Sequence, residues 1–217
     1  MKIRAILFDL DGTLIDQFEA IYKAFSETLL IMGFPSPSYE EVKRAVGGAT
    51  DSTMQKLIGK ERAEEAVQIL RPIFEKEMLN GLEVLPGVLE GLDSICQRGI
   101  ISAVLTNKHG PHARTTCQHL GINQFLKFTI GANDTKWKKP DRRLTNFALS
   151  QIGFKADQVV YVGDSPYDYE TARNAGLKSY LISTGTHSYE ELSVLQDASV
   201  FHTFTALVDD LLLKIDN

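Results

Sequence analysis

The sequence predicts an α/β fold in which a parallel sheet is interrupted by a helical insertion. Three observations carry that expectation. Short apolar runs rich in β-branched residues recur along the chain, stretches of helical length separate them, and the β signal vanishes over one long segment after the first run.

The clearest strand-like runs cover residues 3–8, 100–106, 159–162 and 179–182, with a further one at 127–131. Strands alternating with helices are the pattern of a parallel, Rossmann-like sheet with helices on its faces. From Asp16 to about Leu82 the runs give way to helical periodicity, as in 18–32, 39–46 and 61–79. Gly33-Phe34-Pro35-Ser36-Pro37 and Gly47-Gly48-Ala49-Thr50 break that segment into separate helices. Chain re-enters the sheet near Leu85-Pro86-Gly87. The expected division is therefore a core made of residues 1–15 and 83–217, with a helical module of residues 16–82 inserted between them. No repeat or low-complexity tract interrupts this plan.

With 217 residues, 43% of them hydrophobic, the chain can bury a substantial core. It has no run of about 18 apolar residues, and the amino-terminal apolar stretch is of strand length, so neither a membrane span nor a signal peptide is expected. Cys96 and Cys117 lie in helical stretches without CxxC or Cys/His metal spacing, which fits two reduced thiols in a cytoplasmic protein. A formal charge of −5 with a pI near 5.6 argues against nucleic acid as partner. An anionic substrate would then have its charge met locally, by a metal ion, a lysine and backbone N–H groups.

In a parallel sheet the binding residues gather just past the carboxyl ends of the strands. There Phe8-Asp9-Leu10-Asp11-Gly12-Thr13-Leu14 runs a buried strand directly into two carboxylates and a glycine. Residues two apart in an extended stretch share a side, so Asp9 and Asp11 can face one bound group, one attacking while the other moves protons. A carboxylate can accept a phosphoryl group as an acyl phosphate if that group is held in line and its charge is neutralised. Gly12 allows close backbone approach, with its N–H available to phosphate oxygens. Thr106 and Asn107 offer a hydroxyl and an amide at a second strand end, where the alternative is a helix cap or turn. Lys108 and His109 follow, either at the pocket rim or as solvated loop residues. Of Lys136, Lys138 and Lys139, the last is the most restricted because Pro140 follows it, and a lysine suits both phosphate and a nucleophilic carboxylate. Trp137 reads as a packing or rim residue. Finally Gly163-Asp164-Ser165-Pro166-Tyr167-Asp168 places carboxylates four apart after an apolar strand, oxygen ligands that suit Mg²⁺. Asp164 is the metal ligand of that pair, with Asp9. Asp168 positions waters or a neighbouring lysine.

Taken in order, Asp9-Leu10-Asp11-Gly12-Thr13, Thr106-Asn107, Lys139-Pro140 and Gly163-Asp164 through Asp168 resemble the four motifs of the haloacid-dehalogenase-like hydrolases. That resemblance implies Asp9 as nucleophile, Asp11 as general acid and base, Thr106, Asn107 and Lys139 as phosphate holders, and Mg²⁺ held by Asp9, Asp164 and the Asp11 backbone carbonyl. It also implies that the helical insertion is a mobile cap domain. Within the family the chain is similar to phosphoglycolate phosphatases, through residues 9–16, Val46-Gly47-Gly48, Thr106-Asn107-Lys108 and Gly185-Thr186. Gln17 and Arg142 depart from those relatives and read as lying outside the chemistry. The expected activity is hydrolysis of a small, phosphoglycolate-like phosphate monoester, by a monomer or homodimer. The alternatives are a sugar phosphomutase, which would need a second phosphate site in the cap where only Lys43-Arg44 stands out, and a non-catalytic binding protein on the same scaffold. A dehalogenase is disfavoured by Asp11.

Overall fold

The computed structural model describes residues 3–216. Met1 and Lys2, part of the stretch read above as lacking a signal peptide, and Asn217 lie outside them. Along the chain, β1 (Ala5–Phe8) leads to a two-residue strand β2 (Ile15–Asp16), then to four helices, α1 (Phe18–Ile31), α2 (Tyr39–Ala45), α3 (Thr50–Ile58) and α4 (Ala63–Glu77). The chain returns through β3 (Glu83–Val84) and continues as α5 (Val88–Gln97), β4 (Ile101–His109), α6 (Gly110–His119), β5 (Leu126–Ala132) and α7 (Arg142–Ile152). It ends with β6 (Val159–Gly163), α8 (Pro166–Ala175), β7 (Lys178–Ile182), α9 (Tyr189–Ser193), β8 (Ser199–Phe201) and α10 (Phe204–Asp216).

Six strands form one parallel sheet in the order β5-β4-β1-β6-β7-β8. The central strand β1 is Ala-Ile-Leu-Phe, buried throughout, and a strand without a polar face needs cover on both sides. Its alternation supplies that. Ile6 and Phe8 join Val88, Leu92 and Ile95 of α5 and Phe204, Leu207 and Leu211 of α10 on one face. Ala5 and Leu7 join Leu144, Ala148 and Ile152 of α7 and Ala172 of α8 on the other. Chain order reverses at β1, which lies between β4 and β6, so the crevice beyond the carboxyl end of β1 is the topological switch point where α/β sheets bind ligands.

The four inserted helices have an apolar cluster of their own, built from Phe18, Ala24, Phe25 and Leu29 of α1, Val42 of α2, Met54 of α3, and Ala66, Leu70 and Phe74 of α4. Helix α2 starts where Ser38 and Glu41 cap each other, the Glu41 carboxylate accepting from Ser38 N at 2.7 Å and Ser38 Oγ accepting from Glu41 N at 3.2 Å. The antiparallel pair β2 and β3 joins insertion to sheet, with Ile15 opposite Val84 and Asp16 opposite Glu83.

Strand β4 runs to His109, three residues past its expected end, because its register against β5 shifts between Leu105 and His109. An irregularity of this kind bends a strand and re-aims its side chains, and Thr106, Asn107 and Lys108 lie within it. Strands β2, β3 and β8 were not legible, since two or three residues carry no periodicity. Helix α3 adds nine residues of helix to the three patterns read from sequence.

Candidate active site

Asp9 follows β1 directly, and its N–H donates to Val162 O of β6 at 2.8 Å, which fixes the backbone at the sheet's switch point. The side chain is almost entirely buried. Its Oδ1 lies 3.0 Å from Lys139 Nζ, an ion-pair contact without hydrogen-bond alignment, so this buried oxygen has no hydrogen-bond partner. Burial raises the Asp9 carboxyl to about 6; Lys139 pulls it down, Asp168 pushes it up, and Thr106 lowers it through a hydrogen bond.

Lys139 is buried between two carboxylates, 3.0 Å from Asp9 and 2.7 Å from Asp168 Oδ1. Burial works against its charge, but Asp168 and Asp9 outweigh burial and keep the ammonium protonated well above the ordinary range. Asp168, in the first turn of α8, reaches back with Oδ2 to accept from Asp164 N and Ser165 N, both at 3.1 Å, and from Ser165 Oγ at 2.6 Å. Every bond of Asp168 therefore positions another part of the site: Lys139 through one oxygen, the β6–α8 turn through the other.

Asp164 is also buried. Its Oδ2 accepts from Thr186 N at 2.7 Å and Thr186 Oγ1 at 3.0 Å, and burial, then Asp168 and Asp9, push its carboxyl well above the ordinary range. Oxygens of Asp9, Asp164 and Asp168 lie within 4.8 Å of one another. Three buried carboxylates thus share the site with one buried lysine, and both raised carboxyls reflect burial first and then their like-charged neighbours. Room at this point is tight: a Cβ on Gly12 would stand 2.9 Å from Asp164 Oδ2, and one on Gly185 only 1.9 Å. A small, hard, oxygen-seeking cation suits this donor set. Asp9 and Asp164 are the residues free to hold it, since Asp168 is engaged with Lys139 and the turn.

Asp11 lies two residues on and opens to the same crevice. Both its oxygens accept from Lys108 Nζ, at 3.0 and 3.1 Å, and the same ammonium donates to Gln17 Oε1 and lies 5.1 Å from the Phe74 ring centroid. Gln17 Nε2 in turn donates to Met78 O. Lys108 is therefore neither a rim residue nor a solvated one: it clamps Asp11. The reading of Gln17 as lying outside the chemistry is corrected by the same contacts, for it sits one residue past β2 and ties Asp11, through Lys108, to both chain crossings of the insertion. The alternation of β4 gave no hint of this, because the strand is bent where Lys108 leaves it. Arg142 is exposed at the start of α7, away from these groups.

Two expected phosphate holders have their donors engaged elsewhere. Gly12 N donates to Ile15 O at 2.8 Å, closing the turn after β1, and at φ +80° the residue serves the close approach to Gly185. The Asn107 amide donates to Gly47 O and Lys139 O, both at 3.2 Å, and Asn107 Oδ1 accepts from Lys139 N at 2.9 Å. That side chain ties the Lys139 loop to the insertion. Trp137 packs against the sheet's second apolar cluster.

Asp9, Asp11, Thr106 and Asp164 open into a cavity of about 250 Å³ whose far wall is Ile21, Phe25, Val67, Leu70 and Phe74 of the insertion. The insertion is held against the sheet by Lys138 Nζ to Asp51 at 3.0 Å, by His112 Nε2 with Glu75 at 3.0 Å, and by Arg44, which bonds Thr186 O at 3.0 Å and pairs with Glu191.

Residues 6–182, from β1 to the end of β7, match the family profile of the haloacid dehalogenase-like hydrolases. The chain belongs to this family. Similar proteins include a phosphoglycolate phosphatase of Rhodospirillum rubrum, 31% identical over 217 residues that cover 95% of this chain and 90% of the relative. Another, the phosphoglycolate phosphatase of Rhodobacter capsulatus, is 28% identical and covers 94% of each chain. Among solved structures, a haloacid dehalogenase-like hydrolase from Streptococcus pneumoniae superposes with a TM-score of 0.86 at 25% identity, covering 98% of both chains. No helix among the described residues is long and apolar enough to cross a membrane.

Proposed function

We propose that the chain, a phosphatase of this family, hydrolyses a small phosphate monoester with Mg²⁺ through a phosphorylated intermediate on Asp9. The observation that carries this reading is the buried Asp9 carboxylate at the switch point, beside Lys139 and Asp164 and facing the cavity between sheet and insertion. In the first step an Asp9 oxygen attacks phosphorus, the ester P–O bond breaks, and its electron pair leaves on the alcohol oxygen, which takes a proton from Asp11. In the second, Asp11 accepts a proton from water as that water attacks phosphorus, and the P–O bond to Asp9 breaks, restoring the carboxylate and releasing phosphate. Lys139 and Thr106 bear on the phosphoryl oxygens, with Lys139 kept cationic by Asp168. Bound by Asp9, Asp164 and the Asp11 carbonyl, Mg²⁺ would neutralise charge on the transferring group. Residues 16–82 act as a cap whose apolar wall keeps bulk water from the site.

Support for a hydrolase over a mutase comes from Lys43 and Arg44, the insertion's basic pair. Arg44 is taken by Glu191 and Thr186 O, and Lys43 lies 5.0 Å from the Phe18 ring centroid, so neither offers a second phosphate site in the cavity. Similarity to phosphoglycolate phosphatases puts a small acidic ester first among substrates, and the two free thiols, Cys96 and Cys117, suit the cytoplasm. The test is phosphate release from a panel of small esters, with Mg²⁺ and with chelator, by the native chain and Asp9→Asn. Metal-dependent release that the variant lacks is the expected result; full activity in excess EDTA, or in the variant, would contradict the reading.

A further inference from the structure

Residues 184–186, between β7 and α9, brace the groups named above as cation ligands. Thr186 N and Thr186 Oγ1 donate to Asp164 Oδ2 at 2.7 and 3.0 Å, which occupies both lone pairs of that oxygen. Asp164 Oδ1 has one contact among the described residues, from Thr13 Oγ1 at 3.5 Å, and is the oxygen left for a cation. Thr184 Oγ1 donates to Gly12 O at 2.7 Å, one peptide beyond the Asp11 carbonyl. The hydroxyl of Thr186 has a single proton and gives it to Asp164, so His187 Nδ1, 2.9 Å from Oγ1, is the donor of that pair. The loop therefore fixes one face of the Asp164 carboxylate and the backbone turn after β1 together.

What fixes the loop itself comes from the insertion. Arg44, in the last turn of α2, donates from Nη1 to Thr186 O at 3.0 Å across 142 residues of sequence. Thr186 is thus pinned on both sides, by Asp164 at its N–H and hydroxyl and by Arg44 at its carbonyl. The links Lys138–Asp51 and His112–Glu75 join insertion to sheet through side chains that bond neither Asp9 nor Asp164, whereas Arg44 ends on the residue that holds Asp164. A guanidinium near a divalent cation would repel it, but Glu191 pairs with Arg44, and Ser188 N steadies that carboxylate at 2.8 Å. What Arg44 contributes is therefore position rather than charge.

We propose that Arg44 is a positioning residue for the metal site: seated on Thr186 O, it holds residues 184–186 against Asp164, so that Mg²⁺ binds more tightly with the insertion closed and in turn favours closure. This rests on the Mg²⁺ reading above and deepens it. Cation uptake and closure of the insertion are then one linked equilibrium, carried by a residue that touches neither cation nor substrate.

The experiment is a calorimetric titration of Mg²⁺ into the substrate-free chain, for the native protein, Arg44→Ala, Arg44→Lys, Thr186→Val, and Arg44→Ala combined with Thr186→Val. Removing a group that orients a metal ligand weakens metal affinity by about 10- to 100-fold. Thr186→Val should fall in that range and Arg44→Ala, one bond further out, near its lower end at about 10-fold; Arg44→Lys should recover part of the loss. Because both residues act on one loop, the double variant should lose less than the product of the two single losses. Hydrogen exchange reads the reciprocal effect: Mg²⁺ should slow exchange of the α2 amides in the native chain and not in Arg44→Ala. Native Mg²⁺ affinity in Arg44→Ala, a double variant that loses the full product, or native α2 exchange indifferent to Mg²⁺ would overturn the coupling and leave the metal reading standing. Urea unfolding in EDTA should be nearly the same for Arg44→Ala and the native chain, and a large loss there would make Arg44 a structural residue and overturn its positioning role. A native chain that takes up no Mg²⁺ would overturn both the coupling and the metal reading.

Discussion

Replacing Asp9 by Asn should abolish turnover and at the same time stabilise the metal-free protein. Its carboxyl titrates near 6 in the folded chain against 3.8 ordinarily, with burial as the largest cause. A folded pKa raised above the unfolded value means that the native state holds its proton longer, so stability falls as pH rises from about 4 to about 6. The interval of roughly two units, at about 1.4 kcal/mol each, puts the cost of the ionised side chain near 3 kcal/mol at about pH 7.5 and near half that at about pH 5. Asn carries no charge and escapes the cost. Urea unfolding in EDTA should therefore show the variant more stable than the native chain by about 3 kcal/mol at the higher pH, with a smaller gap at the lower. Millimolar Mg²⁺ should close the gap by stabilising the native chain selectively, since a ligand that binds only the folded state adds RT ln(1 + [L]/Kd). A variant no more stable than native in EDTA, or a gap that ignores pH, would refute the electrostatic reasoning.

Lys139→Met leaves the Asp9 and Asp168 carboxylates buried without their cation; unfolding should become easier by about 3–5 kcal/mol and phosphate release should vanish, and a variant of native stability would contradict the buried triad. Lys108→Met should slow alkyl esters by at least about 100-fold in kcat/KM, and nitrophenyl phosphate less in kcat/KM, because its leaving group needs no proton, though its kcat should also fall where hydrolysis of the intermediate by Asp11 limits turnover; native kcat/KM on alkyl esters would place its role elsewhere. The half-exposed Arg44 and Glu191 pair should matter little to the fold: Arg44→Ala should shift unfolding by less than about 1 kcal/mol, and a loss above about 3 kcal/mol would show that the insertion depends on it.

The strands that carry the site were legible because each is buried on both faces and therefore apolar throughout. Ala5-Ile-Leu-Phe and Val159-Val-Tyr-Val-Gly ending at carboxylates have few explanations other than a site, and Asp9, Asp164 and Lys139 do meet there. What the sequence hid is pairing across distance. Lys108 meets Asp11, 97 residues away, because β4 bends out of register, and Gln17 joins them because a two-residue strand brings the chain crossings together. Asn107 and Gly12 lie beside the site, yet their donors serve the Lys139 loop, the insertion and the turn after β1, which only the folded backbone reveals.

The account's central claim is that Asp9 carries the phosphoryl group, and chemical trapping tests it most directly. Acid-quenched protein taken during turnover of a small ester with Mg²⁺ would be treated with borohydride, which reduces an acyl phosphate to the alcohol, and the peptide spanning β1 would be sequenced by mass spectrometry. Homoserine in place of aspartate at residue 9, formed only with substrate present, is the expected result. An unmodified Asp9 during active phosphate release, or reduction at Asp11 instead, would contradict it.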